Sequence, residues 1–91
     1  MPTVRIPAPL RHLTDGRAEL TVSGADLREL VTDLELAHPG IAERLIDGDG
    51  RLRPFVHVFV GDQDVRSLAG LQTSLDEQDV VTIVPAVAGG C

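Results

Sequence analysis

Leu27, Leu30, Val31 and Leu34 recur at helical spacing and place one apolar stripe along one side of a helix. A helix with a single stripe has one face to hide. Around it run short segments that alternate polar and apolar residues, as half-buried strands do. One sheet face can cover such a helix, and the product is a two-layer α+β domain. The chain has 91 residues, room for one small domain with a modest core. Its only aromatic residues are Phe55 and Phe59, so that core must be built from Val, Leu, Ile and Ala.

The elements follow in a definite order. Thr3 to Pro7 alternates like a strand, Asp15-Gly16 is a turn signal, and Ala18 to Val22 alternates again. These two runs read as a hairpin with Leu20 and Val22 facing inward, joined by a loop longer than a two-residue turn. Ser23 and Asp26 are both capping residues, so the helix has two candidate starts. Pro39-Gly40 ends it. Ile41 to Ile46 is a candidate helical turn with Leu45 packed inward, and Asp47 to Gly50 is a loop. Phe55 to Val60, rich in Val and Phe, is the strongest strand candidate. Gly61 to Asp64 reads as a tight turn into a very short strand at Val65-Arg66. Residues 67–78 read as irregular, with one helical turn near Ser74. Val80 to Val84 is the last strand, stopped by Pro85. A β-grasp, with the main helix lying across a mixed sheet of four to five strands, satisfies this order. Order alone does not separate it from other α+β rolls.

The usual catalytic sets are missing. His12, His38 and His57 lie far apart and lack metal-ligand spacing, so no metal site is expected. Asp47 and Asp49 occupy two positions of a calcium loop, but Arg51 stands where a third ligand belongs and Val58 where the closing Glu belongs. Gly48-Asp49-Gly50 lacks the lysine of a phosphate loop. Asp62 and Asp64 read as turn residues rather than an acid–base pair. The net charge is -6 and every basic residue is Arg, a poor balance for neutralising nucleic-acid phosphates. A lone cysteine, no signal-peptide pattern and no apolar run of membrane-spanning length point to a cytoplasmic location.

The C-terminus is different. Residues 1–85 read as the folded domain and 86–91 as a flexible tail ending Gly89-Gly90-Cys91. From Ala86 to Gly90 there is no large side chain, and the last two of these residues have no Cβ. Extended, that stretch reaches roughly 17 Å, enough to enter a partner's active site while the domain stays outside. Strand alternation places Val56, Val58 and Val60 toward the helix, and Phe55, His57 and Phe59 on the open face. Together with Pro85, Val87 and Ala88 these make a candidate partner-binding patch. The alternative is that residues 66–78 cover one of the aromatics. Arg53 and Arg66 are candidates to meet acidic partner residues, although exposed arginines also simply solubilise.

Val81-Thr-Ile-Val-Pro-Ala-Val-Ala-Gly-Gly90 resembles the C-terminal signature of the ThiS and MoaD family of β-grasp sulfur carriers. Phe55 to Arg66 is similar to their central strand and turn. Ile41 to Asp47 and the Leu27 to Leu34 stripe match in order and spacing. Within the family the resemblance is to the carriers of CysO type. It implies a ubiquitin-like fold and a protein with no catalytic residue of its own, one that binds no cofactor. An E1-like adenylyltransferase would use ATP to adenylate the Gly90 carboxylate, and sulfur would then displace AMP and leave a thiocarboxylate. A sulfur-accepting synthase with pyridoxal phosphate would take that sulfur toward cysteine. A zinc-dependent JAMM-type metallopeptidase would release the cysteine. Alternatives are a MoaD-like small subunit of molybdopterin synthase and a β-grasp interaction module without a sulfur role.

The sequence departs from the family pattern at Cys91, because Gly90 bonded to another residue has no carboxylate to adenylate. Three readings fit: an encoded cap removed before use, the cysteine adduct left by the synthase, or an addition from cloning. The encoded cap is preferred. As a thiol Cys91 has no neighbouring base or cation in the sequence to activate it.

Overall fold

A computed structural model describes residues 1–85. The strands are β1 (Thr3–Arg5), β2 (Glu19–Thr21), β3 (Val56–Val60), β4 (Gln63–Asp64) and β5 (Val80–Pro85), and the helices α1 (Leu27–Ala37) and α2 (Ala42–Leu45). Three 3₁₀ turns cover Ala8–Leu13, Val65–Ser67 and Gly70–Gln72. The five strands form one sheet in the order β2-β1-β5-β3-β4. The central pair β1/β5 is parallel and every other pair is antiparallel. The main helix covers one face, and the strand order with its parallel central pair makes this the mixed β-grasp sheet rather than another α+β roll.

The core follows the alternation in each strand. Val4, Leu20, Val56, Val58, Val81 and Ile83 point inward and meet Leu27, Leu30, Val31 and Leu34 of α1. Leu45 of α2 and Leu10 of the first 3₁₀ turn close the ends of this layer. Thr14 is fully buried, and its hydroxyl lies within hydrogen-bonding distance of the carbonyls of Arg11 and Arg17. It closes the long β1–β2 connection without leaving a polar atom unpaired.

Asp26, not Ser23, starts α1. Its carboxylate accepts from the Glu29 amide at 2.9 Å, and Glu29 in turn accepts from the Ala25 amide at 3.3 Å. This is nearly the reciprocal capping arrangement, shifted one residue outward. Ser23 pairs instead with Asp33. Gly24 precedes this start for a steric reason: a Cβ there would lie 2.6 Å from the Leu30 amide nitrogen and 2.8 Å from its Cα. Helix backbone cannot move aside cheaply, so Gly24→Ala is expected to cost about 1–3 kcal/mol. A drop in the urea midpoint at unchanged m-value checks this; an unchanged midpoint refutes it.

The turn from α1 to α2 is held by Glu35. Its carboxylate accepts from the amides of Ala42 at 2.9 Å and Gly40 at 3.0 Å. Those bonds, Ala42 first and Gly40 second, hold the Glu35 carboxyl below the ordinary glutamate value of 4.5. A lowered folded-state value contributes stability above the ordinary value, and that stability is lost as pH falls through the folded one. The destabilisation by Glu35→Gln is therefore expected to be largest at neutral pH and to shrink in acid. Paired urea titrations across that range test it.

Three details correct the sequence reading. The short fourth strand is Gln63–Asp64, not Val65-Arg66. Val60 pairs directly with Gln63, so the hairpin loop is only Gly61-Asp62. Gly61 has φ +63° and Asp62 is not in the left-handed region, the pattern of a type II′ turn. The helical turn expected near Ser74 lies earlier, at Gly70–Gln72. Ser74 forms a bridge to Asp26, flanked by bonds from Leu27 N to Thr73 O and from Leu75 N to Ala25 O. Finally, Pro85 does not stop β5 but ends it, opposite Val56. A proline is tolerated there because the strand needs no further ladder donor.

Candidate functional site

The residues that carry the tail are the best supported in the sheet. β5 lies between β1 and β3 and runs in register with β3 from Val60↔Val81 to Val56↔Pro85. Its inward residues Val81 and Ile83 are buried. Gly89, Gly90, Cys91, Val87 and Ala88 lie outside the described residues; Pro85 is where the description ends.

On the open face beside Pro85 the sequence-derived patch comes together. Phe55 is 48% exposed and Val84 is 42% exposed, while His57 and Phe59 are half-buried. His57 stands opposite Val84, and Phe59 opposite both Thr82 and Asp64. Segment 66–78 does not cover this face. The turn Gly70–Gln72 packs against α1 on the other side of the sheet, and Val65 is buried in the core. Val84 joins the patch although sequence reasoning passed over it; the alternation Val80, Thr82, Val84 carries the signal.

His57 and Asp64 form a pair, Nδ1 to Oδ2 at 3.3 Å. The Asp64 carboxyl is held below its ordinary value, first by the bond from the Arg66 amide and then by His57. Both residues of this pair were read singly from the sequence. The tight Gly61-Asp62 loop is what brings them across from one another. His12 and His38 stand apart from this pair, and among the described residues no group of three or more His, Cys, Asp or Glu side chains could hold a metal ion.

Arg53 and Arg66, candidates to meet acidic partner residues, also hold the fold together. The Arg66 guanidinium donates to Val56 O at 2.7 Å and to Arg53 O at 2.6 Å. Arg53 Nε donates to Glu43 O at 2.7 Å. One fork thus fastens the start of β3, directly opposite the root of the tail, and Arg53 ties that point to α2. Arg66→Ala is expected to destabilise the domain by about 1–2 kcal/mol, because both carbonyls lose a charged donor. Arg66→Lys is expected to recover less than half of this, since an ammonium lacks the planar fork. Denaturant midpoints of the two variants decide; equal midpoints for Arg66→Lys and the parent would refute the forked role.

The ThiS family model matches residues 4–90. The chain belongs to this family, and like its members it is a sulfur carrier: a protein substrate of enzymes, not a catalyst. It is 47% identical over 90 residues to the sulfur carrier protein CysO of Mycobacterium tuberculosis, covering 97% of each chain. The crystal structure of M. tuberculosis CysO matches with a TM-score of 0.91 at 44% identity, over 96% of this chain and 100% of that one. The CysO of Amycolatopsis orientalis, solved in complex with BexX, matches with a TM-score of 0.93 at 41% identity, over 99% of this chain and 100% of that one. Among the described residues no helix is long and apolar enough to cross a membrane.

Proposed function

We propose that this carrier holds sulfur as a thiocarboxylate on Gly90 and delivers it for the synthesis of cysteine. The observation that carries the reading is the family match, which runs through Gly89-Gly90 and stops at residue 90. The tail root supports it: a buried central strand ends at Pro85 beside an open apolar face. Phe55, His57, Phe59 and Pro85 would seat a partner there, and Val87 and Ala88 would line the path of the threaded tail.

The chemistry belongs to partners. An E1-like adenylyltransferase would join the Gly90 carboxylate to the α-phosphate of ATP and release pyrophosphate. A sulfur nucleophile would then displace AMP, leaving the thiocarboxylate. A pyridoxal-phosphate synthase would present an aminoacrylate to that sulfur. The resulting thioester would rearrange to the more stable amide, so that cysteine is left on Gly90. A JAMM-type peptidase would use zinc to hydrolyse that amide. The carrier binds none of these cofactors; its part is to present a reactive acyl end on a rigid handle. The Gly90–Cys91 amide must be opened before loading, because adenylation requires a free carboxylate. Such ATP-dependent partners fit a cytoplasmic setting.

Intact mass tests the reading. The chain ending at Gly90, given a cognate adenylating enzyme, ATP and a sulfur source, is expected to exchange one oxygen for one sulfur. The chain ending at Cys91 is expected to remain unchanged until the peptidase is added. An unchanged mass for the Gly90 form, with an enzyme shown competent on its own carrier, would refute the proposal.

A further inference from the structure

The eight arginines of this acidic chain are not spread evenly. Arg28 at the start of α1, Arg51 in the loop after Gly50, and Arg66 after β4 converge on one surface groove of about 410 Å³. The rest of its lining is Gly50, Leu52, Gly70, Leu71 and Gln72, with no acidic residue. Fourteen carboxylates are available in the chain, and none lines this groove. Among the described residues the ion pairs are Arg5–Glu19 and His57–Asp64, so none of the three guanidiniums sits against a carboxylate. Asp47 lies near enough to feel Arg51 and Asp64 near enough to feel Arg66, but Asp47 is turned to the amides of Asp49 and Arg51, and Asp64 to the Arg66 amide and His57.

The geometry orients the charges. Arg28 Nη2 leans on Gly50 O at 3.4 Å, which brings the α1 cation to the loop that bears Arg51. Arg66 uses its fork on Val56 O and Arg53 O, and a guanidinium engaged in this way keeps its full charge and its remaining N–H donors. Leu52 and Leu71 are half-buried and supply apolar steps between the cations. Arginine clusters of this kind recognise carboxylates of acidic segments. Arg66 links the groove to the end of the described sheet: it holds Val56, and Val56 pairs with Pro85.

We infer that the Arg28/Arg51/Arg66 groove is a docking site for an acidic segment of a partner protein, with carboxylates on the three guanidiniums and an apolar side chain against Leu52 and Leu71. Isolated surface charges contribute little to affinity, but three of one sign around a concave site raise the encounter rate and set register. The groove is separate from the apolar face beside Pro85. The inference rests on the proposed carrier role only for the reason a partner approaches this end.

The test needs no sulfur chemistry, so its failure is distinct from failure of the carrier reading. Amide shifts of the full chain are followed during titration with a hexaglutamate peptide, at low and high ionic strength. Shifts are expected at Arg51, Leu52, Gly70 and Leu71, and they should fade with salt. Arg51→Glu is expected to weaken binding roughly five- to tenfold, an attraction replaced by a repulsion at an exposed site. Arg28→Gln, which keeps the Asp47 bonds to the Asp49 and Arg51 amides and gives up only the long contact to Gly50 O, is expected to weaken it roughly two- to threefold, and it decides the matter if Arg51→Glu melts early. Equal shifts with inorganic phosphate at the same concentration would mark a small-anion site and overturn the proposal. Shifts scattered over Arg5, Arg11, Arg17 and Arg44, or binding unaffected by either variant, would overturn it as well.

Discussion

Deleting Gly90, so that the chain ends at Gly89, is expected to abolish sulfur loading while leaving the folded domain unchanged. In the proposed mechanism the reacting atoms are those of the Gly90 carboxylate, and the domain only positions them. Removing one residue withdraws that carboxylate by about 3.5 Å along an extended tail. A misplacement of even 1 Å at a reacting centre can cost about a hundredfold in rate. The domain has no reason to respond, because the described fold closes at Pro85 opposite Val56. Gly90→Val, which keeps the length and adds a β-branched side chain, is expected to reduce loading by about a hundredfold on the same argument. The measurements are intact mass after incubation with the adenylating enzyme, and a thermal melt of each variant. Loading retained by the shortened chain would show that another group is the acyl donor.

Leu34→Ala is expected to have the largest effect on stability. Leu34 is the last residue of the apolar stripe on α1 and is fully buried in the core, 0% exposed. Truncating such a leucine removes its transfer energy and leaves a cavity, about 2–5 kcal/mol together. A domain of this size is stable by only about 5–15 kcal/mol. The variant is therefore expected to lose a large share of its stability, with a fall in Tm of at least about 10 °C. Leu36, two residues along the same helix and 77% exposed, is the control. Leu36→Ala is expected to stay within about 0.5 kcal/mol of the parent. Equal losses in the two variants would mean that α1 does not pack as described.

Much of this fold is legible from residue pattern because burial here is one-sided. Leu27, Leu30, Val31 and Leu34 repeat with the helical period, and Val56 and Val58 with the strand period. Each period reports which side faces the core. The same logic placed Phe55, His57 and Phe59 on the open face, where they lie. It failed at Val65-Arg66, read as a very short strand after a turn spanning Gly61 to Asp64. Val65 is buried through a 3₁₀ turn instead, since the Gly61-Asp62 loop is shorter than the sequence reading allowed and β4 ends sooner. Ser23 and Asp26 could not be ranked as caps, because the choice depends on Asp33 and Glu29 reaching back to the residues before the helix.

The sequence by itself determined the element order, the inward faces of the main helix and strands, and the Gly89-Gly90 end that the family match reaches. These are local properties, written in the spacing of neighbouring side chains. Only the tertiary structure decided that Arg53 and Arg66 fasten the root of the tail, that His57 meets Asp64, and that Gly24 must be bare against Leu30. It alone gathered Arg28, Arg51 and Arg66 around one groove. Those residues are distant along the chain, and no periodicity in a sequence records which distant residues a sheet and a helix will bring together.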